Sequence, residues 1–338
     1  MAALVCDSFM HSILIIGCGS IGERHLRCFQ KTGRCAVTAC DTNPTLLATM
    51  RERYNTPGFA TLDEALAAGR YDATVICTPA HLHLPMALKL LAAKQHLLIE
   101  KPLALDVTLV PQVREAIPQA GSFVGVAYVY HFMPWITQSR AYLQSGAIGK
   151  VLHLSVSAGQ HFPTFRPAYR DIYYARHEHG GGAIQDALTH LVNAAEWMIG
   201  PCTRLFCDAS HQMLEGVNVE DTVNISARHG DALASFSMNQ FQAPFEVLFQ
   251  LHGEHGSVKI EVHNRRWGHL KHGESDWTWH ETPALERDDL FIAQANAFLK
   301  GIEGRANALC TFEEAVQTLK FNAAALHSVR TGLPIVIE

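Results

Sequence analysis

Over the first 128 residues, short aliphatic runs alternate with stretches of helical periodicity. Residues 12–16 run through Ile13, Leu14, Ile15 and Ile16 into a glycine, the pattern of a central parallel strand covered on both faces. The spacing predicts further strands over 36–40, 73–77 and 96–99. Helices are expected from residue 20 to about 32 and over 81–93, with Thr61-Leu62-Asp63-Glu64 as a capping box opening another. Right-handed crossovers between such units give a doubly wound parallel sheet, whose ligand crevice lies at the carboxyl ends of its strands. From about residue 150 the pattern changes to period two. Ala234, Phe236 and Met238 alternate with Ser235, Ser237 and Asn239; Phe245, Val247, Phe249 and Leu251 alternate with Glu246, Gln250 and His252. One polar face and one apolar face mean an antiparallel sheet covered on one side only. Phe291, Ala295, Phe298 and Ile302 then recur at helical spacing, and Thr311-Phe312-Glu313-Glu314 is a second capping box. The boundary falls between Gly121 and Tyr130, giving expected domains of 1–125 and 126–338 within an α/β fold.

At 338 residues the chain has room for two domains, and 48% apolar against 17% charged residues is a globular balance. Lys and Arg (27) are fewer than Asp and Glu (32), so no basic field exists to hold a nucleic acid. The apolar stretch 84–99 is interrupted by Lys89, Lys94, Gln95 and His96, too often for a membrane span. Residues 1–11 carry neither the basic nor the apolar region of a secretory signal, and a cytoplasmic protein is expected. Nine cysteines (6, 18, 28, 35, 40, 77, 202, 207 and 310) are scattered without a CxxC pair, so they should be reduced thiols.

The chemistry begins at Gly17-Cys18-Gly19-Ser20-Ile21-Gly22, between the first strand and its helix. Glycines at this spacing provide a tight turn, backbone close enough to touch a pyrophosphate, and close helix-strand packing, with the anion at the helix N-terminus. The motif alone is common; its place between strand and helix strengthens it. Asp41 ends the second strand nineteen residues beyond Gly22, where a carboxylate accepts hydrogen bonds from a ribose 2′-OH. Thr42 follows instead of an arginine, so NAD is favoured over NADP. Thr78-Pro79 and Glu100-Lys101-Pro102 stand at two strand ends and should face the cofactor. Lys101 is placed to hydrogen-bond a reacting oxygen or to shift a neighbouring acid or base by its charge. In the stretch 180–190, Asp186 and His190 are four apart on one side of a helix, an arrangement in which the carboxylate can orient the imidazole and tune it near neutral pH.

These residues resemble the Gfo/Idh/MocA oxidoreductases over nearly the full length. The resemblance is carried by Gly17-Cys18-Gly19-Ser20-Ile21-Gly22, Thr78-Pro79-Ala80-His81-Leu82-His83, Glu100-Lys101-Pro102-Leu103, the stretch 180–190 and Gly253-Glu254-His255-Gly256. It implies an N-terminal Rossmann domain and a C-terminal α/β domain with a large mixed, mainly antiparallel open-faced sheet. It further implies homodimers or homotetramers built on that sheet. Lys101, Asp186 and His190 would form the catalytic group. Gly17, Gly19, Ser20, Ile21, Gly22, Asp41, Thr78, Pro79, His83, Glu100 and Lys101 would hold NAD. The implied reaction is hydride transfer between the nicotinamide and a secondary alcohol of a sugar, sugar derivative or cyclitol. Two other functions compete: an NAD-dependent glycosidase acting by transient oxidation, and a non-catalytic nucleotide-binding regulator, against which the retained Lys101, Asp186 and His190 argue.

Residues 160–179 are the expected seat of substrate identity. Arg166, Tyr169 and Tyr174 are candidate substrate contacts, in a segment that also holds Arg170, Tyr173, Arg176, His161, His177 and His179. A long loop here suits a lid or pocket wall, and arginine forks with aromatic faces suit an acidic or N-acyl sugar. A subunit-contact arm with its charges paired across an interface is the equal alternative. His177-Glu178-His179 with His190, or His81 with His83, lack the spacing of a helical metal site, and no metal is expected.

Overall fold

A computed structural model describes residues 10–306 and 309–338. Cys6 and most of the 1–11 segment lie outside the described residues. The first half alternates as its pattern dictates. Strands β1 (His11–Ile16), β2 (Cys35–Cys40), β3 (Gly58–Phe59), β4 (Ala73–Ile76), β5 (His96–Ile99) and β6 (Val124–Val126) are interleaved with helices. These are α1 (Ser20–Lys31), α2 (Pro44–Tyr54), α3 (Leu62–Ala68), α4 (His83–Ala92) and α5 (Val110–Ala120). The six strands are parallel, and β1 pairs with both β2 and β4, so the strand order reverses beside the glycine turn. Ile13, Leu14 and Ile15 are fully buried because helices cover both faces.

The second half opens with α6 (Pro134–Gln144), β7 (Val151–Gly159), the short α7 (Phe162–Phe165) and α8 (Thr189–Ile199). There follow β8 (Arg204–Ser210), β9 (Thr222–His229), β10 (Ala232–Asn239), β11 (Glu246–Gly253), β12 (Gly256–Glu261), β13 (Arg266–Lys271) and β14 (Thr278–Glu281). The chain ends in α9 (Asp289–Ile302), β15 (Cys310–Thr311), α10 (Phe312–Thr331) and β16 (Ile335–Val336). Nine strands form one mixed sheet in the order β14-β13-β12-β11-β7-β10-β9-β8-β16, antiparallel except for β7 beside β10. The period-two pattern is realised: Phe236 and Phe249 both lie opposite Val156, on the buried face. Residues of α6, α8 and α10 pack on that face. Phe245 departs from expectation; it precedes β11 and is exposed.

Two later segments rejoin the first half. β15 pairs antiparallel with β6, and α9 lies on α1, with Phe298 edge-on to Phe29 at 6.0 Å. Arg27 Nε and Nη2 bind both oxygens of Asp288, the residue before α9, at 2.8 and 2.7 Å. The two halves are thereby locked together around the cleft between them. Of the two expected capping boxes, Thr311 with Glu314 closes fully, whereas Glu64 reaches back to the Ala60 amide instead of that of Thr61.

Candidate active site

At the carboxyl end of β1 the chain turns through Gly17 at φ +89°, where a Cβ would lie 2.6 Å from the Cys77 carbonyl oxygen. A Cβ on Gly22 would run into the Gly17 carbonyl. Both glycines are therefore demanded by the turn and by helix-strand contact. Gly19 is different: a Cβ there meets nothing within 4 Å, and no side chain caps the helix it begins. The open space against an uncapped helix start fits a dinucleotide pyrophosphate, which would be held by the backbone of Gly19, Ser20 and Ile21. Asp41 stands beside this turn, accepting the Cys18 amide at 2.5 Å and the Asn43 amide at 2.7 Å. Thr78, Pro79, Glu100 and Lys101 line the same cleft, whose volume is about 1310 Å³. His83 does not. It is buried, with its ring nitrogens 2.7 Å from the Thr78 carbonyl and 3.0 Å from that of Pro102. Its work is to tie two strand exits together, which corrects its expected contact with the cofactor.

Lys101 leaves β5 and crosses to the second half of the chain. Its Nζ donates to Asp186 Oδ1 at 3.0 Å and to the Asp186 carbonyl at 2.9 Å. The Tyr173 hydroxyl donates to the same carboxylate oxygen at 2.7 Å. Asp186 sits in a widened π turn, Ile184–Leu188, that leads into α8; such turns often occur at functional sites. Burial by itself would raise the Asp186 pKa. The Lys101 charge and the Tyr173 hydrogen bond outweigh it, holding the carboxyl below its ordinary range.

His190 follows on α8 and lines the cleft. Its ring stacks on Tyr130 (centroids 5.3 Å, planes 17° apart) and meets Tyr128 edge-on at 5.9 Å. Tyr128 is itself fixed by a 2.9 Å bond to the Thr189 hydroxyl. The expected tuning of His190 by Asp186 toward neutral pH does not occur. The carboxylate is turned to Lys101 and Tyr173, and His190 Nδ1 is buried with no hydrogen-bond partner. Burial, then the Lys101 charge, pushes the imidazole pKa down to about 3 against the weaker opposite pull of Asp186 and Glu100. Glu100, beneath Lys101, accepts from or pairs with His25 of α1 at 2.7 Å and accepts the Lys101 amide at 3.0 Å.

Residues 160–179 supply one wall of the cleft, through Phe162, Arg166, Ile172 and Tyr173 among others. Of the three candidates in this segment only Arg166 faces the cleft. Tyr169 and Tyr174 are buried in a small apolar cluster with Phe162, Leu214, Val217 and Val219. Their hydroxyls are taken by the Glu215 carbonyl and by Gln240. Tyr173 reaches Asp186 instead. Tyr128, Tyr130, Tyr173 and His25 join the site without having been expected there; the signals in the sequence are an aromatic pair just past a strand end and a histidine one turn into the glycine-motif helix. Among the described residues no three His, Cys, Asp or Glu side chains gather as a metal group, and no helix is long and apolar enough to cross a membrane. His177 pairs with Glu220, and His81 stacks on His179 at 5.6 Å.

Comparison with known proteins gives two family matches: an oxidoreductase family with an NAD-binding Rossmann fold over residues 11–128, and the GFO/IDH/MocA C-terminal domain over residues 136–259. The chain is 25% identical to a 1,5-anhydro-D-fructose reductase of Ensifer adhaerens, covering 82% of this chain and 83% of the relative. It is 21% identical to an inositol 2-dehydrogenase of Rhizobium meliloti (strain 1021), covering 93% and 96% respectively. Among solved structures, a levoglucosan dehydrogenase in complex with NADH and levoglucosan superposes with a TM-score of 0.87 at 19% identity, over 97% of this chain and 99% of that one. That last likeness is one of fold.

Proposed function

The chain belongs to the Gfo/Idh/MocA oxidoreductases, and on that premise we propose that it is a dehydrogenase acting on a secondary alcohol of a sugar, sugar derivative or cyclitol, with Lys101, Asp186 and His190 as its catalytic group. Membership brings an NAD-binding Rossmann domain, and the open cradle at Gly19 is the local feature that suits it. The observation that carries the site assignment is the meeting of Lys101 Nζ with Asp186 at 3.0 Å in the cleft that His190 also lines.

NAD held in the cleft would supply the acceptor for the hydride that leaves the carbon bearing the hydroxyl. Lys101 then donates a hydrogen bond to the substrate oxygen and stabilises negative charge growing there, while Asp186 and Tyr173 hold the ammonium in place. His190, unprotonated at neutral pH, accepts the hydroxyl proton. Tyr130 and Tyr128 fix the plane of its ring and shelter it from water. In this division residues 1–125 carry the cofactor and 126–338 the substrate and subunit contacts.

The outer face of the second sheet, with Leu152, Phe206 and Leu233 exposed, supports a homodimer or homotetramer. The eight described cysteines are all unpaired, which supports a reducing, cytoplasmic setting. The test is a panel of cyclitols, aldoses, uronic acids and acylated amino sugars mixed with NAD and read by NADH fluorescence. Growth of NADH with at least one alcohol, abolished in His190→Ala, is the expected result. Release of free sugar from a glycoside without net NADH would point to transient oxidation instead.

A further inference from the structure

The mouth of the cleft is crowded with guanidinium groups from three separate segments. Arg24 lies on α1, Arg166 on the 160–179 wall and Arg287 just before α9, and all three line the cleft with Lys101, Tyr173 and His190. Arg24 is the inner member. Its side chain is 19% exposed, its guanidinium lies 4.9 Å over the Phe291 ring, and its Nε is buried without a hydrogen-bond partner. Its one carboxylate partner among the described residues, Asp288, forms only a long ion pair with it at 3.9 Å and is held more closely by others: Arg27 takes both its oxygens and Lys31 binds one at 3.0 Å. The remaining acids at this mouth do not compensate. Glu23 is engaged by Arg53 and the Tyr54 hydroxyl, Asp289 accepts the Glu286 amide, and Glu286 is exposed. Neither Arg166 nor Arg287 has a side-chain hydrogen bond or ion pair among the described residues.

Like charges gathered at a half-desolvated mouth repel one another, and burial followed by the charges of Arg287 and Arg27 lowers the Arg24 pKa. In a protein whose formal charge is -5, such a concentration of cations calls for an anion. Planar guanidinium forks match carboxylate and phosphate oxygens, two bonds at a time. The pyrophosphate cradle is not the same place. It is the backbone at residues 19–21, whereas Arg24 sits one turn further on, facing Asp288 and Phe291 from the second half of the chain. Arg166 shares the 160–179 wall of the cleft with Tyr173, and Tyr173 bonds Asp186. The cluster therefore joins the substrate end of the cleft.

We propose that Arg24, Arg166 and Arg287 form a subsite for an anionic substituent of the substrate, so that the enzyme acts on sugars bearing a carboxylate or a phosphate in preference to neutral ones. The proposal rests on the dehydrogenase reading only for the identity of the reacting group; the anion site itself can be tested by binding.

Protein loaded with NADH is titrated by calorimetry with glucose, glucuronic acid and glucose 6-phosphate, at low and high salt. At least one anionic probe should bind roughly 10- to 100-fold tighter than glucose, the range of charge-assisted hydrogen bonds. Added salt should erode that margin. The carboxylate and phosphate arms identify which group the site takes. Arg166→Ala and Arg287→Ala, both exposed and safe for folding, should remove most of the margin, as should Arg24→Ala, while NADH affinity stays unchanged. Equal binding of glucose and both anions, no binding of either anion, or variants that weaken NADH instead of the anionic probe would each overturn the subsite. Anion-selective binding with no oxidation of any sugar leaves the subsite standing and removes the dehydrogenase reading; oxidation of neutral and charged sugars alike, indifferent to the three substitutions, does the reverse.

Discussion

Lys101 and Asp186, 85 residues apart in the chain, meet at 3.0 Å, and the lysine also binds the aspartate's own backbone carbonyl. This contact joins the end of a Rossmann strand to the turn that opens α8, so the two halves of the protein meet at the proposed catalytic group. It also explains why His190 stays unpaired: the carboxylate four residues earlier is spent on the ammonium and on Tyr173. What is left is an uncharged, weakly basic imidazole beside a positive charge: the imidazole is free to accept a proton, and the ammonium, by stabilising the alcohol's oxygen and making its hydroxyl more acidic, offsets that weak basicity.

Replacing His190 or Lys101 by alanine should lower turnover roughly 10²- to 10⁴-fold, the usual contribution of a placed acid or base. NADH binding, measured by fluorescence titration, should be retained in His190→Ala; Lys101 also stands among the expected NAD contacts, so its variant is judged on turnover at saturating cofactor. Full turnover in either variant would remove that residue from the catalytic group.

Tyr173→Phe deletes one of the hydrogen bonds that hold Asp186. A bond to a charged group is typically worth about 1.5–3 kcal/mol, so kcat should fall roughly 10- to 100-fold with little change in thermal stability. Tyr174→Phe makes a contrast. Its hydroxyl serves the Gln240 side chain in a closed apolar cluster, and the loss should appear in melting temperature and not in kcat.

Two of the motif glycines, Gly19 and Gly22, should separate by function. Gly22→Ala places a methyl group against the Gly17 carbonyl and should impair folding, seen as aggregation or a lowered melting temperature. Gly19→Ala meets no protein atom, so the variant should fold normally and yet bind NADH at least about tenfold more weakly, because the methyl occupies the space of the pyrophosphate. Equal NADH affinity in folded Gly19→Ala would count against the cradle.

Asp41 should decide the cofactor. Its carboxylate repels a 2′-phosphate and accepts hydrogen bonds from a 2′-hydroxyl. In Asp41→Ala the ratio of kcat/KM for NAD over NADP should drop by roughly tenfold or more, the size of one lost charged hydrogen bond. An unchanged ratio would mean that the ribose is read elsewhere.

Acid should destabilise the fold through His190. The pKa falls from 6.5 to about 3 on folding, so between these values the unfolded chain binds the extra proton. Stability is accordingly untouched above about pH 6.5 and is lost as the pH falls from there toward 3. Denaturant midpoints compared at pH 7.5 and 5 should decline less in His190→Gln than in the parent protein. An identical decline in both would show that this imidazole does not carry the effect.

Local pattern alone determined much of the outcome. The aliphatic runs, the spaced glycines and the period-two strands between Ala232 and Gly253 dictate both sheets, because burial on one or two faces is written directly into which positions are apolar. Lys101, Asp186 and His190 were equally legible, each marked by its place at a strand end or helix start. Partner choice was not. Asp186 turned to Lys101 and left His190 alone; Tyr174, an expected substrate contact, is buried in an apolar cluster while its neighbour Tyr173 lines the cleft; and Arg24, Arg166 and Arg287 gathered from segments more than a hundred residues apart. Periodicity tells which face of an element is buried, but hydrogen bonds and ion pairs between elements depend on distances set only when the two halves pack. In an irregular segment such as 160–179 there is no period from which to tell one tyrosine from its neighbour.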